Sequence, residues 1–160
     1  MAGKVNIEEI PEQSWKSPTG KYQIGRKPIS VALGGKLGVG TWGGGHPFDV
    51  EWVRLTPGKT NFPYHEHKVS WELYVVLSGS GVVRSSGNEF DVGPGDCFVE
   101  PPGSPHQIRN ESPSEDLIYL VVADQNPADI TYYPDSDKWA FRPPRTVFEM
   151  TEVDYFKNEE

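Results

Sequence analysis

Cysteine, histidine, basic charge and long apolar runs are all scarce in this 160-residue chain, and each scarcity excludes something. The single cysteine, Cys97, rules out an intrachain disulfide framework. No run of eighteen apolar residues occurs, so no segment reads as a membrane-spanning helix. The opening residues, Met1 to Ile10, lack the apolar stretch of a secretory leader. Lysine and arginine total 15 against 23 acidic residues, a net charge of −8, which speaks against nucleic acid as the main partner. A soluble cytoplasmic protein is the resulting expectation. At 36% the hydrophobic fraction is modest, so the five Trp, seven Tyr and seven Phe must supply much of the core.

Glycine and proline are plentiful, 17 and 15 residues, and are spread along the chain. Turn signals such as Pro57-Gly58, Ser78-Gly79, Ser86-Gly87-Asn88, Gly93-Pro94-Gly95 and Pro101–Pro105 separate short strand-like runs. These runs fall at 37–42, 49–56, 62–68, 71–77, 80–84, 89–92, 96–100, 106–110 and 117–123. The spacing indicates an all-β sandwich or barrel, with no solenoid or propeller repeat. Residues 1–30, broken by Pro11, Pro18, Gly20, Gly25 and Pro28, read as an arm with little regular structure. Residues 31–125 read as the barrel, and 126–160 as an irregular extension packing on or near it, its last segment from about 146 a short helix or arm. The run Gly38-Val39-Gly40-Thr41-Trp42-Gly43 matches a dinucleotide fingerprint, but Gly44, Gly45, His46 and Pro47 follow where that motif requires a helix. We set nucleotide binding aside.

Three of the four histidines belong to one constellation: His65-Glu66-His67, then Glu72, then His106. On a strand, residues i and i+2 share a face, which puts His65 and His67 on one side, roughly 6.5 Å apart along the strand. Glu72 has the opposite parity from His67. The chain therefore bends around Lys68-Val69-Ser70, or Glu72 begins the next strand. The passage Pro101-Pro102-Gly103-Ser104-Pro105 is stiff and delivers His106 from elsewhere. Strand parity from Glu72 turns Tyr74 and Val76 inward and leaves Trp71, Leu73 and Val75 on an outer apolar face. Such a face needs a cover, and a homodimer is the favoured one.

These residues resemble the two motifs of the cupin superfamily. Gly58, His65, His67, Glu72 and Gly79 fit the first, G-x5-H-x-H-x3–4-E-x6-G, with one extra residue between Gly58 and His65. Gly95, Pro101, Gly103, His106 and Asn110 fit the second, G-x5-P-x-G-x2-H-x3-N, without a gap. The tail around Asp129–Asp135 also looks like the tails of small bacterial cupins. The resemblance implies a double-stranded β-helix, or jelly-roll barrel, with one divalent transition-metal ion inside its wider end. His65, His67, Glu72 and His106 would bind that ion.

Three neutral imidazoles and one carboxylate around a divalent ion leave a net charge of about +1, and six-coordination leaves two positions open. That centre suits a small anionic ligand: a carboxylate, an α-keto acid, an enolate or a diol. Iron, manganese, nickel and zinc all suit the donor set. Tyr74 and Phe98 are candidates to line the ligand pocket, and Tyr74 and Glu100 are weak candidates for proton transfer. Arg84 and Arg109 could meet an anion, although Arg109 has the wrong parity relative to His106. Cys97 reads as a small hydrophobe, His46 as an incidental loop residue, and Asn110-Glu111-Ser112 as a formal sequon. The leading functional expectation is a metal-dependent dioxygenase, decarboxylase or isomerase acting on a small organic acid or oxygenated metabolite. The alternatives are a non-catalytic binding or sensing module and a carbohydrate isomerase or epimerase.

Overall fold

The computed structural model describes residues 3–142 and 145–159. A 3-10 turn at Ile7–Glu9, capped by the Asn6 carboxamide, leads into β1 (Gln13–Lys16) and β2 (Gln23–Pro28). A single helical turn, α1 (Ile29–Ala32), and a glycine-rich loop follow. Then come β3 (Phe48–Leu55), β4 (Glu66–His67), β5 (Glu72–Ser78), β6 (Gly81–Ser85), β7 (Asn88–Val92), β8 (Cys97–Glu100), β9 (His106–Arg109) and β10 (Leu117–Asp124). The chain ends with β11 (Ile130–Tyr133), β12 (Lys138–Phe141) and β13 (Thr146–Glu149).

Six strands form one layer in the order β1-β2-β3-β10-β5-β8. Facing it are β7-β6-β9 and β13-β12-β11-β4, linked by the bridge between His65 and His106. This is the jelly-roll arrangement of a double-stranded β-helix.

The inner face of the large sheet carries a gradient of polarity. In register, Leu55 pairs with Leu117, Val53 with Tyr119, Glu51 with Val121, and Asp49 with Ala123. Across β10 to β5, Tyr119 meets Val76, Val121 meets Tyr74, and Ala123 meets Glu72. The period-2 rule keeps all of these on one face. One end of the barrel is therefore apolar, closed by Ile24, Leu55, Val76, Val83, Val92, Ile108 and Leu117. The other end is lined by carboxylates and tyrosines. The same sheet supplies both the core that holds the fold and the wall that holds the site.

Two motif residues tie the layers together. Gly79 sits at φ +74° in the β5–β6 turn, where an added Cβ would lie 2.1 Å from the Asp116 carbonyl oxygen. Only glycine fits there. Asn110 is buried, and its amide donates to the Leu55 and Glu115 carbonyls while its own carbonyl accepts from Gly58 N at 2.9 Å. That places the sequon asparagine inside the barrel, where it braces two loops.

Several expectations need correction. Within residues 1–30, β1 and β2 extend the large sheet, because Gly25 to Pro28 find partners on β3. Residues 37–42 form no strand; the loop ends in a 3-10 turn at Thr41–Gly43 before β3 begins. Of 62–68 only Glu66 and His67 are strand, since Pro63 interrupts the backbone donors upstream. The region after 126 is regular: β11 pairs with β4 and with β12, and residues 146–149 are β13 rather than helix. Glu72 opens β5, which settles its parity relative to His67.

Candidate metal centre

Each histidine is aimed by a hydrogen bond on its rear nitrogen. His65 Nδ1 lies 2.8 Å from the Pro63 carbonyl and His106 Nδ1 2.9 Å from the Ser104 carbonyl. A carbonyl oxygen only accepts, so both Nδ1 atoms carry the proton and both Nε2 edges are left to face Glu72 and the centre. His67 Nδ1 lies 2.5 Å from the Asp129 carboxylate, which also accepts from Val69 N and Ser70 N. Asp129 thus orients the ring and pins the bend between β4 and β5.

The front edges converge. His65, Glu72 and His106 offer ligand atoms that all lie within 4.8 Å of one another, a group that could hold an ion. His67 stands just beside this triangle, with Nε2 3.6 Å from Glu72 Oε1. Glu72 is the hub: its Oε2 is 2.8 Å from His106 Nε2 and accepts from the Tyr74 hydroxyl at 2.7 Å. The donor set and its rear hydrogen bonds fit a divalent ion.

The electrostatics follow from this packing. Burial, with the neighbouring His106 and His67, pushes His65 well below its usual range, keeping its Nε2 lone pair free. Burial acts to raise Glu72, but the three imidazoles overrule it and hold the carboxyl well below the usual carboxylate range. Burial likewise opposes the charging of His106, yet the hydrogen bond and charge of Glu72 raise it on balance. Burial and Glu72 push Tyr74 well above its ordinary value, so it stays a phenol that donates.

The centre forms the inner end of a cavity of about 410 Å3. Its walls include His65, His67, Glu72, Tyr74, Tyr119, Asn61, Val53 and Val121, with Asp49, Glu51, Arg26, Arg142 and Arg145 farther round. Burial raises the Glu51 carboxyl, a rise that Arg26 partly offsets. Phe98 shares the inward face of Tyr74 but stacks against its ring, centroids 4.8 Å apart, and so backs Tyr74 instead of lining the cavity. Glu100 is buried and accepts from Ser85 Oγ at 2.9 Å and Ser104 Oγ at 2.5 Å, securing the proline loop that carries His106. Arg84 is engaged by Asp135, and Arg109 by Glu89 and Glu111, all on the outside. Cys97 is exposed, and the His46 ring packs near Phe48, 6.0 Å between centroids. Asp129, Glu51 and the arginines at 26, 142 and 145 escaped the sequence reading. Only an acidic residue in a tail that returns to the barrel hinted at Asp129.

Fold and centre together define a barrel protein with a histidine–carboxylate site at its open end. Residues 51–123 match the Cupin domain family model, and the chain has the jelly-roll barrel of that fold. An oxalate-binding protein from Thermotoga maritima is 34% identical over 71 residues, 44% of this chain and 56% of that protein. Matches to curated relatives span from 36% to 56% of those proteins' lengths. Among solved structures, a sugar phosphate isomerase of the cupin superfamily from Silicibacter pomeroyi superposes with a TM-score of 0.75 at 23% identity, covering 96% of this chain and 98% of that one. Another, from Acidithiobacillus ferrooxidans and named as a proposed sugar phosphate isomerase, gives 0.77 at 22% identity, covering 92% and 90%. At these identities the two structures bear on fold alone. No helix among the described residues is long and apolar enough to cross a membrane.

Proposed function

We propose that this protein is a metal-dependent enzyme acting on a small, anionic, oxygenated metabolite. One observation carries the reading: three imidazoles with committed rear nitrogens gather around Glu72, and His65, His67 and Glu72 open on a cavity of about 410 Å3. A bound divalent ion would polarise an oxygen of the ligand. His65, His67, Glu72 and His106 would hold that ion, and iron, manganese, nickel and zinc are the candidates. Tyr74, kept protonated, donates a hydrogen bond, and Glu51, raised by burial, can accept and return a proton. Asp49, Glu51, Asn61 and Gln125 make the wall more polar than the sequence suggested, which favours isomerisation over dioxygenation or decarboxylation. Two neighbours in fold are named as sugar phosphate isomerases, which makes that chemistry the first to assay.

A second reading is a binding module without turnover, favoured by the relative named an oxalate-binding protein. One experiment separates the two. The purified protein is assayed for metal content, then stripped with chelator and reloaded. Isomerisation of hydroxy acids and sugar phosphates is followed, with oxygen uptake and decarboxylation as controls. About one ion per chain and metal-restored turnover support the enzyme; stoichiometric metal with saturable ligand binding and no turnover supports the binder. A protein that takes up no metal ends both.

Trp71 just before β5, Leu73 and Leu77 on β5 and Val99 on β8 are exposed. β8 is an edge strand of the large sheet. A second copy of the chain is the proposed cover, and sedimentation should report twice the monomer mass.

A further inference from the structure

Arginines in this acidic chain are mostly spoken for. Arg54 holds Glu12 and Asp116, Arg84 holds Asp135, and Arg109 holds Glu89 and Glu111. Arg26 reaches Glu51 at 3.4 Å. Arg142, Arg145 and Lys138 break the pattern: among the described residues, none forms an ion pair with a carboxylate. Among the described residues, Arg145 donates to the Tyr133 hydroxyl. The Arg142 Nε is buried with no hydrogen-bond partner. Arg145 is exposed while the Arg142 Nε is buried, and both residues line the cavity wall without a carboxylate partner among the described residues.

A second chamber of about 450 Å3 adjoins the metal-centre cavity. Arg26, Phe62, Tyr133 and Arg145 line both, so they stand at the junction. Arg142 lines the inner chamber and Lys138 the outer one. Among the described residues the outer wall carries Arg26, Lys138 and Arg145 and no carboxylate. The Tyr133 ring is 6.0 Å from that of His65, so the junction is one side chain away from the metal centre.

We infer that this junction is a subsite for a phosphate monoester, held by Arg145, Lys138 and Arg142 with Arg26 alongside. Cations reach it from β2, β12 and the chain entering β13, and a tetrahedral oxyanion offers oxygens in several directions where a planar carboxylate does not. Phe62 and Tyr133 flank the passage and exclude water from the ion pairs. A ligand spanning both chambers would put its phosphate at the junction and its hydroxyl or carbonyl end at the histidines. The subsite deepens the enzyme reading above by naming the substrate class, a phosphorylated hydroxy or keto compound. Most of its cations lie beyond residue 123, outside the matched cupin domain.

The test uses the full chain, stripped of metal, titrated calorimetrically with inorganic phosphate. One saturable site is expected, with acetate binding much more weakly. Lys138→Ala with Arg145→Ala should weaken phosphate binding at least about tenfold. Arg142→Gln, made separately, should weaken it too and covers the case in which the double variant fails to fold. His65→Ala with His67→Ala should leave phosphate affinity unchanged. Absence of saturable binding, acetate binding as well as phosphate, or unaltered affinity in the folded cationic variants would overturn the subsite. If phosphate binding fails while metal is retained, only the subsite falls. If metal fails while phosphate binds, only the metal reading falls.

Discussion

The two ends of the elongated cavity contrast in how their charges are settled. At the inner end every ionisable group has a protein partner: Glu72 meets Tyr74 and His106, and Asp129 meets His67 and two backbone amides. At the junction with the outer chamber, Arg26 meets Glu51 but Arg145 meets no carboxylate among the described residues, and the Arg142 Nε on the inner wall has no hydrogen-bond partner. The inner end is pre-organised, so the cost of ordering it is met when the protein folds. The outer end leaves the half-buried Lys138 and the exposed Arg145 without a carboxylate partner among the described residues. On the two proposals above, one barrel would present a fixed cation-binding end and an anion-binding end still to be filled.

The sharpest way to break this contrast is to remove the inner donors. His65→Ala with His67→Ala should reduce bound metal from about one ion per chain to background, read by elemental analysis. The circular dichroism spectrum should stay β-rich, because the apolar cluster from Ile24 to Leu117 closes the opposite end of the barrel without these rings. Loss of the β signal would mean that the ion braces the fold. A smaller effect is expected at Asp129→Asn, where the ring of His67 loses its charged anchor and metal affinity should drop about 10–100-fold. Because His67 stands beside the tight His65–Glu72–His106 triangle, unchanged affinity would show that His67 is no ligand.

Much of the inner end was legible in sequence for a physical reason. Its parts obey local rules: alternate residues share a strand face, which placed Tyr74 and Val76 inward with Glu72, and the turn at Gly79 admits no side chain. Phe98 also points inward as parity requires, but parity cannot say that it lies behind Tyr74. Asp129 and Arg142 were not legible because their roles arise from contacts made across the barrel, Asp129 with His67 sixty-two residues away. Of the C-terminal sheet, β4 lies inside the expected 62–68 run, whereas β11, β12 and β13 were missed: the first two are only four residues long, and β13 is exposed throughout and shows no hydrophobic alternation. β1 was hidden for the same reason, all four of its residues being exposed.

Protons sharpen the comparison further, since they compete at the inner end. In the metal-free protein His106 is raised above its ordinary value by Glu72, despite opposing burial. Its folded pKa exceeds its unfolded one, so the pair contributes stability below about pH 6.5 that fades as pH rises through the folded value. Glu72 has the opposite sign: its depressed pKa contributes above the usual carboxylate range, and that contribution is lost only in strong acid. Metal must displace the His106 proton, so affinity should climb about tenfold per pH unit below the raised pKa and level off above it. Titrating the apoprotein with Zn2+ in a series of buffers measures this, and a flat profile from pH 5 to pH 7 would exclude His106 as a ligand.

The smallest effect is expected where a cation already has its counter-charge. Arg84 meets Asp135 with two hydrogen bonds, of 2.7 and 3.0 Å, and its guanidinium lies 3.5 Å from the Tyr64 ring centroid. Both partners are partly exposed, so water screens the pair and the side chains lose entropy in forming it. Arg84→Ala should therefore cost only about 0–1 kcal/mol, a melting shift of a few degrees at most, and leave metal and phosphate binding untouched. Arg145→Ala should behave in the reverse way, with little loss of stability and a marked loss of phosphate affinity, because its charge has no carboxylate to lose. Equal responses from the two variants would erase the distinction between paired and waiting arginines on which the contrast between the two ends depends.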